Sequence, residues 1–105
     1  MQKKENEMVP LVVVVAGAEG KNQAMIDLCY KLHLNLFEVI ALEVEDFHDV
    51  QKFQTLISKI KADSDENRRV YGVGLEYGAN LLVRASAENK SLFQAIASIG
   101  NPLDL

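Results

Sequence analysis

Leu11-Val12-Val13-Val14-Val15-Ala16 is almost purely β-branched and shows no polar alternation. A strand with one wet face alternates apolar and polar residues, so a run like this needs both faces covered, as in a central parallel strand. Three further strand candidates follow: Phe37 to Leu42, Val70 to Leu75 and Phe93 to Ile99. Helical spacing fills the gaps. Met25, Leu28, Cys29 and Leu32 share one face over Asn22 to Leu34, and Phe47, Val50, Phe53, Ile57 and Ile60 share another over Asp46 to Lys61. A third helix, Gly78 to Ala87, turns Leu81, Leu82 and Ala85 inward. Strand and helix alternate throughout, which predicts an α/β fold: a four-stranded, mainly parallel sheet with helices on both faces.

Composition limits what such a domain can do. The 105 residues are 49% apolar and 25% charged, enough for one hydrophobic core and too few for two domains. Residues 1–8 read as a polar tail and 9–105 as the domain. A net charge of −4 argues against a phosphate-backbone binder, so no nucleic-acid partner is expected. The single Cys29 excludes an internal disulfide and points to an intracellular protein. A cytoplasmic home is expected, although a mature mitochondrial protein that has lost its presequence would read the same. The apolar run from Val9 to Ala16 is too short to span a membrane, so no transmembrane segment is expected.

Few residues offer cofactor or metal chemistry. His33 and His48 lack partners at metal-ligand spacing and read as surface histidines; Met25, Cys29, Phe47 and Phe53 read as core. Gly17-Ala18-Glu19-Gly20-Lys21 fits neither the dinucleotide nor the Walker A spacing. Glu43, Glu45, Asp46 and Asp49, added to Glu19 and Glu76, could form an acidic rim for a divalent cation or a basic partner. They are better explained as a solvated face whose first-turn carboxylates favour the following helix. No metal and no cofactor are predicted.

The informative junction is Gly74-Leu75-Glu76-Tyr77-Gly78, where the third strand meets the third helix. Glycines two before and two after a central residue are the frame of a nucleophile elbow, in which a strained residue projects above the sheet. Two glycines bracket many βα turns for packing alone, so the frame needs its context. Val73 to Arg84, followed by Ala97 to Leu105, resembles the α/β-hydrolase superfamily. More narrowly, it is similar to the branch of abhydrolase-domain lipid hydrolases and plant embryogenesis-associated proteins. There the elbow reads V-G-x-S-L-G-A-N-x-L and the next strand ends in N-P-F-D-L. Val9 to Gly20 is similar to that branch's P-L-V-V-x-x-H-G-L-T-G.

The resemblance implies strand order 2-1-3-4, a minimal half of the hydrolase fold, with the cleft between the first and third strands. It also implies a serine at the elbow, where this chain has Glu76. A carboxylate attacking an ester would give a mixed anhydride rather than a stable acyl-enzyme. Ala16 stands where the family has histidine, and Glu19 brings negative charge to the loop that would help bind an oxyanion. Gly74, Glu76 and Gly78 are thus expected as a vestigial elbow, and Gly17, Ala18 and Tyr77 as a vestigial oxyanion loop, with no catalytic residue left.

The family's acid and histidine would lie on strands beyond Leu105, and those strands would also cover the fourth strand. Phe93, Ala95, Ile96, Ala97 and Ile99 are therefore expected as an interaction edge, since an uncharged, proline-free edge invites pairing. The expected function is a non-catalytic, hydrolase-derived structural or interaction subunit, in a homo- or hetero-oligomer. The alternatives are the N-terminal part of a split or truncated serine-type lipid or ester hydrolase, and a small stand-alone signalling or ligand-binding domain.

Overall fold

The computed structural model describes residues 9–17, 23–44, 49–65 and 67–100. In chain order the elements are β1 (Leu11–Gly17), α1 (Gln23–Leu34), β2 (Glu38–Val44), α2 (Val50–Ala62), β3 (Val70–Leu75), α3 (Tyr77–Glu88) and β4 (Ala95–Ile99). The four strands form one sheet in the order β2-β1-β3-β4, parallel at every pairing. The expected α/β architecture and strand order are therefore present, and β1 holds a central place with every residue from Leu11 to Ala16 buried.

The β1 side chains divide by parity between two packing layers. Val12, Val14 and Ala16 meet Met25 of α1, with Leu28, Cys29 and Leu32 packed around them. Leu11, Val13 and Val15 meet Phe53 and Ile57 of α2 and Leu81, Leu82 and Ala85 of α3. Full burial of each Val or Leu contributes roughly 1.5–3 kcal/mol, so β1 is the strand whose loss the fold could least sustain. Because every pairing is parallel, the carboxyl ends of the four strands, Gly17, Val44, Leu75 and Ile99, lie at one end of the sheet.

Local chemistry moves several element boundaries. α1 closes in a Schellman motif: Leu36 takes φ 70°, its N–H donates to His33 O at 3.0 Å, and the Phe37 N–H donates to Leu32 O at 3.1 Å. Phe37 is thereby committed to the helix end, and β2 begins at Glu38 and continues to Val44 rather than stopping at Leu42. Asp49 caps α2, its carboxylate accepting from the Lys52 N–H at 2.9 Å, so the described helix begins at Val50. Asp46, Phe47 and His48, expected in that helix, lie outside the described residues. β4 starts at Ala95, because Phe93 turns inward to fill the space above Gly72, where an added Cβ would sit 3.1 Å from the Phe93 ring.

Long side chains tie the ends of the sheet together. Arg68, just before β3, donates through Nε to Val9 O at 2.7 Å and pairs with Glu38 at the start of β2. Lys61, in the last turn of α2, donates to Ser91 O at 2.7 Å and Leu92 O at 3.1 Å. Both cations serve backbone carbonyls at the amino end of the sheet. No helix among the described residues is long and apolar enough to cross a membrane.

Candidate functional site: the turn after β3

Glu76 joins β3 to α3 with φ 54° and ψ −118°. This is the backbone of the first central residue of a type II′ turn, a conformation that a side chain adopts at a cost on the order of 1–3 kcal/mol. Hydrogen bonds hold it on both sides. The Glu76 N–H donates to Ile99 O at 2.8 Å, and the Glu76 carbonyl accepts from the N–H groups of Ala79 at 3.0 Å and Asn80 at 3.3 Å. The first set ties the turn to β4, and the second starts α3.

The flanking glycines explain why the chain turns so sharply here. A Cβ on Gly74 would lie 2.4 Å from Ala79 Cα, and one on Gly78 would lie 2.2 Å from Val15 O and 2.6 Å from Val15 C. α3 therefore backs onto β1 with no room for a methyl group, and β3 passes under the first turn of α3 equally closely. Between these contacts the Glu76 side chain projects into solvent, as the exposed tip of a strand, strained residue and helix. Its carboxylate lies at the amino end of α3, where the helix dipole favours negative charge. Gly100, at φ 64°, lies beside it, with the Glu76 Cγ 3.6 Å from where a Gly100 Cβ would be.

The surroundings differ from those of an activated nucleophile. Ala16, buried in β1, brings only a methyl group. His33 is in the last turn of α1, which leads into the start of β2 at the amino end of the sheet, opposite to Glu76. Tyr77 is the half-exposed first residue of α3, and Gly17 ends β1; Ala18, Glu19 and His48 lie outside the described residues. Of the acidic rim, Glu43 is exposed on β2 and Asp49 is engaged in the α2 cap, while Glu45 and Asp46 lie outside the described residues. Among the described residues no cluster of three or more His, Cys, Asp or Glu side chains could hold a metal ion. Burial pushes the Cys29 thiol pKa up, which disfavours the thiolate and fits its place beside the core.

The residues expected at an interaction edge separate into two groups. Phe93 is corrected from edge to core: it is 7% exposed and packs with Leu81, Leu82 and Leu92. Every residue of β4 is exposed. Ala95, Ala97 and Ile99 pair with Tyr71, Val73 and Leu75, on the side of the sheet where α1 lies over β1 and β2. Ile96 and Ser98 pair with Gly72 and Gly74, on the side of α2 and α3. At the amino end of β4 a cleft of about 390 Å³ is lined by Lys61, Arg68, Lys90, Ser91, Phe93 and Gln94.

The motif reading did not anticipate Gly100 beside Glu76, or the basic residues gathered at the other end of β4. Gly100 follows an apolar run and could have been read as a strand stop, but its nearness to Glu76 depends on β3–β4 pairing. The basic cleft unites α2, the segment before β3 and the segment before β4, and no local spacing encodes that. No protein-family model matches the chain, and no curated protein matches it in sequence.

Proposed function

We propose that this chain is a hydrolase-derived domain without hydrolytic chemistry, serving as a protein-interaction subunit of a larger assembly through β4. The supporting observation is the turn at Glu76. Its backbone strain, and two glycines where a Cβ would strike the backbone of Ala79 and of Val15, are what an elbow requires to present a nucleophile. The presented group, however, is a carboxylate with no imidazole near it among the described residues. A mixed anhydride formed there would lack the base that activates water or an alcohol. The scaffold has kept the geometry and exchanged the group that used it. The single half-buried Cys29 supports an intracellular, cytoplasmic setting for the assembly.

The intact elbow backbone also favours a second reading, in which the chain is the N-terminal part of a split ester hydrolase. Hydrolysis of short- and medium-chain p-nitrophenyl esters separates the two. The non-catalytic domain gives no turnover above buffer as wild type or as Glu76→Ser, alone or with its native partners. Turnover by the wild type sinks the interaction-subunit reading. Turnover gained only by Glu76→Ser with a partner bound assigns the chain to a split hydrolase.

A further inference from the structure

The two edges of the sheet are built differently. β2 carries the exposed carboxylates Glu38 and Glu43, charges of the kind that keep strange strands away. β4 carries Ala-Ile-Ala-Ser-Ile, with no charge, no proline and every residue exposed. We propose that the occupant of this edge is a second copy of the same chain, paired antiparallel to β4 about a twofold axis into one continuous sheet. This deepens the reading of β4 as a docking element and rests on it.

The register follows from the hydrogen bonding. Ile99 turns its carbonyl inward to the Glu76 N–H, and alternate residues of a strand point their backbone groups to opposite sides. Ile96 and Ser98 thus offer their N–H and C=O groups to the open side. A twofold axis at Ala97 sets Ile96 of one copy opposite Ser98 of the other, and each pair exchanges two hydrogen bonds. Ala97 then meets its own counterpart in a non-hydrogen-bonded pair, the arrangement with the closest side-chain approach, where a methyl group fits. On the same face, Ile99 lies opposite Ala95, large against small, and the half-buried Tyr71 and Val73 of both copies extend one apolar surface.

Charge supports the same partner. An edge with no charge does not repel itself, even on a chain of net charge −4. Antiparallel pairing also carries the carboxyl end of each β4, where Glu76 sits beside Gly100, to the amino end of the other, where Lys61 and Lys90 line the basic cleft. A parallel partner of the same sequence would set like ends together, and twofold symmetry forbids it.

Light-scattering mass on the purified full chain tests the proposal: the expected mass is twice 11.7 kDa, returning to one copy in Ile96→Lys. Ala97→Cys then reports the register. It oxidises to a disulfide-linked dimer, mapped by peptide mass spectrometry to distinguish it from linkage through Cys29, whereas Ala95→Cys does not cross-link to itself. Lys90→Glu weakens the dimer several-fold, and combining it with Glu76→Lys restores it. A monomer at 100-fold varied concentration overturns self-pairing. The docking reading is then judged separately, by whether Ile96→Lys abolishes binding of a different native partner. A dimer that cross-links through Ala95→Cys and not Ala97→Cys overturns the register and with it the proposed interface.

Discussion

Leu36 and Glu76 both hold positive φ without being glycine, yet the two sites resist change for opposite reasons. Leu36 sits at the end of α1, 80% exposed, in the left-handed conformation that ends many helices. Its strain is paid locally by two capping hydrogen bonds. Glu76 sits where β3, β4, α3 and β1 converge, and its conformation is imposed by neighbours that leave no space at Gly74 and Gly78. A strained residue at a helix end is therefore separable from the fold, whereas the one at Glu76 belongs to the packing of the whole sheet.

Breaking that contrast starts with the glycines. Gly78→Ala pushes a methyl group into the Val15 carbonyl, and we expect a loss of about 3 kcal/mol or more, read as a collapse of the urea midpoint. Gly74→Ala, driven against the Ala79 backbone, should lose roughly 2–3 kcal/mol; a change under 0.5 kcal/mol in either would show that α3 can shift off β1 and β3. At the strained residue itself the sign reverses. Glu76→Gly relieves the strain that those neighbours impose on a residue with a side chain and should raise stability by about 1 kcal/mol in the same urea titration; no gain would show that the turn stores no backbone strain at Glu76. Leu36→Gly should yield the smallest gain, roughly 0.5–1 kcal/mol, because the exposed side chain loses little burial. A melting temperature that falls in Leu36→Gly would mean that Leu36 packs against something in solution.

Much of the fold was legible in the sequence because its deciding signals are local. The run Leu11–Ala16 has no polar alternation and ended up central, and Leu81, Leu82 and Ala85 were spaced for burial and are buried. Boundaries were harder to place where one residue type suits two roles. Phe37 is as apolar as a strand residue, but the left-handed turn at Leu36 drew it into the end of α1. Phe93 belongs to an uncharged run, and only the gap above Gly72 decides that it points inward. At the candidate site, the G-x-x-x-G frame revealed the turn, since sterics alone demand those glycines. Neither the nearness of Gly100 to Glu76 nor the anchoring of Arg68 on Val9 and Glu38 left any mark in local spacing, because each joins segments distant in the chain.

The central position of β1 has a consequence for synthesis. β1 is made before the other three strands of the sheet, and its neighbour β2 follows soon, but its other neighbour β3 is complete only when Leu75 has left the ribosome. Until then the most apolar stretch of the chain has one open edge and lacks α3, one of the three helices that cover it, and such a non-local pairing slows folding and exposes nascent chains to aggregation. Pairing of β1 with β3 on the ribosome should thus be late and abrupt, leaving Leu11 to Ala16 open to wrong partners until Leu75 has emerged.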